Sequence, residues 1–397
     1  MSPPRLLRSD VYSVGAIDWD RRLFDDLIPL PDGTSYNAYL VCGSEKTALI
    51  DTVDPTMSDV LIDNLRRLGI EKIDYIVVNH AEQDHSGTLP EIIEKHPSAT
   101  VVASPKCKQL LVEMLLIPEY RITAVADRES LFLGNKTLEF IHAPWVHWPE
   151  TMLTYLREDK ILFSCDLFGS HMATSDLYAP IDETTYESAR RYYAEIMMPF
   201  RSEIKKHLLK IKDLKIDLIA PSHGPVHSSP ERIVDLYRLW SSDELSNTVV
   251  LPYISMHGST KRMVDFLVSE LLERGIAVKQ FNLAVTDVGK LAASLVDAAT
   301  VVFGSPTVLT GPHPSVVYAA YLTAILRPKV KFVSIIGSYG WGTRMVKRIE
   351  DAISGLKAEM IEPVVVKGCP EEKDFEALEK LADEILKRHR ELGMGAG

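Results

Sequence analysis

Short apolar runs bounded by turn residues recur through the first 228 residues: YNAYLVCG, TALIDTV, DYIVVNH, ATVVAS, LEFIHAP, KILFSCD and DLIAPSH. Runs of this kind predict buried strands. Helical spacing predicts helices over Met57–Leu68, Glu91–His96 and Lys106–Leu116, and a longer one over about Tyr186–Lys212. The strands come first in closely spaced pairs and later with helices between them. That order predicts stacked sheets covered by helices.

A further helix is expected around Ser229–Leu239, and the polar stretch SSDELSNT after it reads as a linker. The pattern then turns into a regular alternation. Strand VVLPYIS precedes helix KRMVDFLVSELLERG, AVKQFNL precedes a helix over Val288–Asp297, and TVVFG precedes SVVYAAYLTAIL. FVSIIGS precedes MVKRIEDAISGL, and IEPVVV precedes a helix over Asp374–Arg390. Alternating strands and helices of this length predict a doubly wound, five-stranded parallel sheet. The chain is therefore α/β throughout, with domains expected over residues 1–245 and 246–397.

Composition sharpens the division. Residues 246–397 carry 18 Lys+Arg against 17 Asp+Glu, so the overall charge of −11 leaves a net of −12 on residues 1–245. An acidic chain of this kind is not expected to bind nucleic acid. At 46% hydrophobic and 25% charged it has globular usage. No apolar run approaches the roughly 18 residues of a membrane span, and the start MSPPRLLRSD has no apolar core for a secretory signal. A soluble cytoplasmic protein is expected. Cys42, Cys107, Cys165 and Cys369 stand far apart, which excludes a disulfide framework, a zinc ribbon or a rubredoxin-type iron site made from this chain alone.

Candidate chemistry starts directly after YIVVN, where His80, Glu82, Asp84 and His85 fall within six residues. LEFIHAP then leads to His147, KILFSC to Asp166 and DLIAPS to His223. Each donor follows a strand-like run, so strands presenting the same end together would bring all seven to one edge. Mixed nitrogen and oxygen donors in that number are enough for two metal ions, with Asp166 short enough to bridge them. His142, His171 and His227 are read as supporting or surface residues.

The second domain offers a different chemistry. Ser255, Met256, His257, Gly258, Ser259 and Thr260 form a hydroxyl-rich glycine loop that opens a helix, where backbone N–H groups and the positive helix end favour a phosphate. The loop matches neither a nucleoside-triphosphate loop nor a dinucleotide fingerprint. Two more loops follow strand ends: Ser305-Pro306-Thr307, and Ser338-Tyr339-Gly340-Trp341-Gly342. Open α/β sheets bind ligands at such ends, and Tyr339 and Trp341 offer flat surfaces to a ring system.

The run H-x-[EH]-x-D-H with later His, Asp and His at strand ends resembles the metallo-β-lactamase superfamily, whose zinc hydrolases carry His where this chain has Glu82. A carboxylate there favours iron over zinc. Joined to loops similar to the FMN loops of flavodoxins, the chain resembles the flavodiiron proteins over nearly its whole length. The resemblance implies an N-terminal αββα sandwich and a C-terminal flavodoxin-like sheet. It implies His80, Glu82 and His147 on one iron, Asp84 and His223 on the other, and Asp166 bridging, with the role of His85 open. Glu82, Asp166 and His85 are the residues expected to matter most for the chemistry. It adds Leu309 and Gly311 to the FMN contacts, and allows Phe24, Tyr192 and Tyr193 to line the metal pocket. His257 stands where an aromatic residue is common, and Val308-Leu309-Thr310 replaces amide side chains.

The function implied is passage of electrons from a separate donor, rubredoxin or a reduced deazaflavin, through FMN to two non-haem irons that reduce O2 to water or NO to N2O. A head-to-tail homodimer, or a tetramer of such dimers, is implied as well. Two other classes stay open on the residues: a zinc hydrolase with an attached flavodoxin domain, and an electron carrier whose first domain has lost its metal.

Overall fold

The computed structural model describes residues 2–180 and 183–395. The chain divides into two compact units, one holding Met1–Tyr193 and Phe200–Ser241, the other Ala194–Pro199 and Ser242–Gly397.

The first unit is built on two sheets. One has the strand order Arg5–Arg8, Val11–Ser13, Tyr39–Cys42, Thr47–Ile50, Tyr75–Val78, Thr100–Ala103, Ile122–Ala124. Its early strands pair antiparallel, and its last three pairings are parallel. The other sheet runs Ser130–Phe132, Thr137–His142, Met152–Leu156, Ile161–Cys165, Leu218–Pro221, antiparallel except for the final parallel pair. Tyr39, Val41, Ile50, Val77 and Val102 of the first sheet pack against Phe140, Met152, Leu156, Phe163 and Ala220 of the second. Burying each of the larger side chains contributes roughly 1.5–3 kcal/mol. The opposite face of the first sheet is covered by Leu61 and Leu65, Leu89 and Ile92, and Cys107 and Leu111, from the helices Ser58–Arg67, Leu89–Lys95 and Pro105–Leu115. The last of these starts where its sequence says it should: Ser104 Oγ accepts from Cys107 N, and Pro105 occupies a position that needs no N–H.

Three sequence expectations change. The helix expected over Tyr186–Lys212 is broken into Glu183–Tyr192 and Arg201–Ile211, with a π turn over Tyr193–Met197 and a 3-10 turn over Met198–Phe200 between them. Pro199 lies in the break, where it has no N–H to continue the ladder. The linker shortens to residues 242–245, because the helix Pro230–Ser241 runs up to it and the strand Ser246–Tyr253 starts directly after. Strands over Arg5–Arg8, Val11–Ser13, Ile122–Ala124, Ser130–Phe132 and Met152–Leu156 are additional to those read from the sequence.

His227 supplies a pH-dependent element of this unit. It is buried, and its ring donates to the Phe168 carbonyl through Nε2 at 3.0 Å. Burial pushes its pKa down to about 4 from an ordinary 6.5. The unfolded chain therefore takes up the proton first as pH falls, and stability drops between about pH 6.5 and 4 and then levels off. The full drop is about 3 kcal/mol. Urea midpoints measured at pH 7 and pH 5 are expected to show the loss in the native protein and a smaller loss in His227→Gln.

The second unit is the expected parallel sheet, in the order Ala277–Asn282, Ser246–Tyr253, Ala298–Val308, Phe332–Tyr339, then Glu359–Met360 and Val364–Lys367. Numbered within the unit this is 2-1-3-4-5, the flavodoxin-like arrangement, which leaves a switch point beside its first strand. The central strands are buried along almost their whole length, which is why they read as unbroken apolar runs. Val249, Leu251 and Tyr253 pack against Met263, Leu267 and Leu271 of the helix Ser259–Glu273 and Leu378 and Ile385 of the helix Glu372–Glu391. Among the described residues no helix is long and apolar enough to cross a membrane.

Candidate metal centre and flavin cleft

Sheet direction explains how distant residues meet in the first unit. Ile161–Cys165 and Leu218–Pro221 are parallel neighbours, so Asp166 and His223, just beyond them, leave the same edge. Two antiparallel steps separate Thr137–His142 from Ile161–Cys165. The two strands therefore point the same way, and the loop to His147 leaves that edge too. The other sheet joins there through Met152 N, which donates to the Asn79 carbonyl at 2.9 Å, and Thr154 Oγ1, which donates to Asn79 Oδ1 at 2.7 Å. His80 follows at once. Glu82 is the extended N-cap of a short helical turn, Gln83–Ser86, that carries Asp84 and His85 inward.

All seven sequence candidates converge. Glu82 Oε2 lies 3.0 Å from His80 Nε2 and 3.0 Å from His147 Nε2. Asp166 Oδ2 is 3.5 Å from each of the same two nitrogens, and Asp166 Oδ1 is 3.0 Å from His85 Nε2 and 3.5 Å from His223 Nε2. Asp84 meets His223 Nε2 at 3.2 Å and His85 Nε2 at 3.4 Å. Asp166 thus faces two groups of donors at once, and donor atoms of His80, Glu82, His85 and Asp166, and of Asp84, His85 and His223, lie close enough to share an ion. His85, open in the sequence, belongs to both groups.

The electrostatics favour a cation. Burial alone would raise the Asp166 carboxyl, but His85, His80 and His147 hold it well below the usual carboxylate range. Burial would likewise raise Glu82, and His147 and His80 reverse the shift. Both oxygens of Asp84 and both of Asp166 are buried without a hydrogen bond of ordinary geometry among the described residues. Buried anionic oxygens in this state are costly unless a cation meets them. The donor set, four imidazoles and three carboxylates, fits a pair of ions such as iron better than a thiolate-loving metal.

Supporting residues complete the picture. Glu150, not singled out in the sequence, is buried with Oε1 2.7 Å from His80 Nδ1 and 3.1 Å from Ala81 N. Asp51, also overlooked, accepts from Asn79 N and Asn79 Nδ2 at 2.7 and 2.8 Å behind the cluster. Its placement after the run TALI repeats the strand-then-acid pattern that exposed Asp166; no comparable signal marks Glu150. His223 Nδ1 donates to the Ser35 carbonyl at 2.7 Å. Phe24 and Tyr192 lie beside the cluster, with ring centroids 6.5 and 5.9 Å from His223. Tyr193 instead packs against Tyr237 and Trp240 at 5.3 and 5.4 Å. His171 is a buried supporting residue, hydrogen-bonded to Thr34 Oγ1 at 2.9 Å and 4.8 Å from the His223 ring. His142 bonds the Val125 carbonyl at 3.1 Å and is half-buried.

In the second unit the three loops enclose a cleft of about 440 Å³, within the usual size for a cofactor site. It is lined by Ser255, Met256, His257, Ser259, Thr260, Pro306, Thr307, Ser338, Tyr339, Gly340 and Trp341, joined by Gly368 and Cys369, which the sequence reading omitted. Gly258 shapes the loop from behind: its φ of +92° is open to glycine and strained for other residues. Ser255 Oγ accepts from Gly258 N and Lys261 N at 3.2 and 3.1 Å and closes the turn. Thr260 and Ser338 hydroxyls meet at 3.2 Å between two of the loops. Ser305 is buried, its hydroxyl accepting from His313 N at 3.0 Å. Leu309 is exposed on the hairpin formed with Gly311–Pro312, and Gly342 opens on a neighbouring cleft with Thr343 and Arg344. Ser305, Leu309, Gly311 and Gly342 are not among the residues that line the cleft itself.

A hydrolase has no use for an aromatic-lined cleft at the switch point of the second unit, and a simple electron carrier has none for seven converging donors. Together they define a flavin-coupled metal oxidoreductase. A family model described as "ODP family beta lactamase" matches residues 34–224, and one for flavodoxin matches residues 251–380. The chain is 36% identical to a "Nitric oxide reductase" of Moorella thermoacetica, covering 98% of this chain and 99% of that one. It is 34% identical to a "Coenzyme F420H(2) oxidase" of Methanothermobacter marburgensis, with 94% and 97% covered. Among solved structures it superposes on the rubredoxin oxygen:oxidoreductase of Desulfovibrio gigas with a TM-score of 0.93, at 30% identity and 98% coverage of both chains. The flavodiiron protein of Giardia intestinalis gives 0.89 at 28% identity, with 98% and 97% covered. The chain belongs to the flavodiiron protein family.

Proposed function

We propose that the protein takes electrons from a separate donor at an FMN held in the three-loop cleft and delivers them to two irons that reduce O2 to water or NO to N2O. Bound in these places, the flavin would supply the electrons and the irons would hold the small substrate and transfer them to it. His80, Glu82 and His147 would hold one iron, Asp84 and His223 the other, with Asp166 between them and His85 counted among the donors of the second. Glu82 is the observation that supports this reading above a hydrolase. Its carboxylate meets two imidazole nitrogens at 3.0 Å, so the position is anionic where the zinc enzymes are expected to be neutral. Phe24 and Tyr192 place apolar and ring surface beside His223, which keeps bulk water from the polar cluster. The experiment is consumption of O2 under air and of NO under anaerobic conditions, side by side, on iron-loaded protein with reduced flavin. Absence of both activities in protein carrying two irons and one FMN would overturn the reading. The names of relatives support rubredoxin or a reduced deazaflavin as donor. Four free cysteines accord with a cytoplasmic setting.

A head-to-tail homodimer, or a tetramer of such dimers, belongs to the same reading, with the flavin of one subunit serving the irons of its partner in a closed two-fold arrangement. Mixing Ser259→Glu with the double variant His80→Ala, Asp166→Ala under subunit exchange is expected to restore activity that neither parent has. Exchange shown to occur without recovery would place electron transfer within one chain.

A further inference from the structure

We propose that Glu150 is a positioning residue that makes the two metal positions unequal, so that the one served by His80 holds its ion more tightly than the one served by His223. The inference rests on the two-metal reading above and extends it to a residue outside the donor set.

The three buried imidazoles differ in what stands behind them. All three buried rings turn Nε2 toward the carboxylates of the cluster: His80 toward Glu82 and Asp166, His85 toward Asp84 and Asp166, His223 toward Asp84 and Asp166. The Nδ1 atoms face away and meet three different surroundings. That of His80 lies 2.7 Å from a carboxylate oxygen of Glu150. That of His223 lies 2.7 Å from the neutral carbonyl of Ser35. That of His85 is buried with no partner among the described residues. With Nε2 committed to a metal, Nδ1 carries the ring proton. A carboxylate accepting that proton pushes electron density through the ring and raises the basicity of Nε2; a carbonyl does so far less.

Glu150 is built for this task. Ser104 Oγ donates to its backbone carbonyl at 2.7 Å, so the residue is pinned to the start of the helix Pro105–Leu115. Its Oε1 also accepts from Ala81 N at 3.1 Å, while Oε2 has no partner among the described residues. Among the described residues no Lys or Arg pairs with it, and its charge is directed at His80. The Trp148 ring, 5.1 Å from His80 and edge-on to it, limits rotation of the imidazole.

The test is anaerobic calorimetric titration of the metal-free, FMN-containing full chain with ferrous iron. The native protein is expected to take two ions in steps at least about tenfold apart in affinity. In Glu150→Gln, which keeps shape and removes charge, the tighter step is expected to weaken by roughly 10–100-fold while the other moves by less than about threefold. Glu150→Asp is expected to recover part of the difference. Mössbauer spectra of the loaded proteins should show one ferrous signal altered by the amide and the other unchanged. Two ions binding the native protein with equal affinity would overturn the proposal and leave the two-metal reading standing, a result that needs no variant to fold. Equal weakening of both steps in Glu150→Gln would overturn it as well. Uptake of fewer than two ions by the native chain would remove the two-metal reading and this inference with it.

Discussion

Replacing Glu82 with histidine is expected to shift the bound metal from iron toward zinc and to lower reductase turnover by at least about 100-fold. The cluster holds three carboxylates, Glu82, Asp84 and Asp166, among four imidazoles. Against two divalent ions they leave one positive charge uncompensated, and against two trivalent ions three. Removing Glu82 raises both figures by one, and the penalty is greater for the oxidised pair because charge repulsion in a buried site grows with the product of the charges. The variant should therefore favour a metal that never changes charge. Three imidazoles around one ion also match the donor preference of zinc. Elemental analysis after growth with both metals, paired with turnover on O2 and NO, reads the outcome. Equal iron content and undiminished turnover would show that Glu82 is not a ligand.

The second large effect is expected at Ser259→Glu, which should weaken FMN binding by roughly 100-fold while iron content stays unchanged. Ser259 is the first residue of the helix Ser259–Glu273, directly after Gly258 in its left-handed conformation. The first N–H groups of a helix have no partner within it and are drawn to an anion. A carboxylate placed about 5 Å from a phosphate opposes it by roughly 3 kcal/mol per phosphate charge at the dielectric of a protein surface. It also occupies the helix end that the phosphate would otherwise meet. Flavin absorbance per purified chain and equilibrium dialysis with free FMN measure the loss. Full retention of flavin would move the phosphate to another loop.

The metal donors were legible because of strand direction. His80, Asp166 and His223 each follow an apolar run, and parallel strands carry every such position to one edge. The flavin loops were legible for the same reason, since alternation of strand and helix fixes the edge on which they lie. Legibility ended where a contact depends on three-dimensional approach alone. Glu150 sits in a loop eight residues past His142 and meets His80 and Ala81 in the loop after the strand Tyr75–Val78, a relation no spacing records. Gly368 and Cys369 reach the flavin cleft from the last strand, which carries no Gly-rich or hydroxyl-rich signature. Leu309 and Gly311 rest on a family pattern alone, on a hairpin that leaves Leu309 exposed. The break at Pro199 was visible as a proline, but the helical periodicity on either side masked it.

The strand Leu218–Pro221 joins its sheet last, beside Ile161–Cys165, and this has a consequence for how the protein is made. His80 through His85 leave the ribosome early, whereas His223 follows some 140 residues later, on the order of ten seconds at ordinary rates of synthesis. Until then the Asp84 side of the cluster has His85 but not the second imidazole, and the sheet edge that will carry it is open. A cation arriving before then meets a donor set that lacks His223. The complete donor set therefore exists only once the strand Leu218–Pro221 has been made and His223 has followed it.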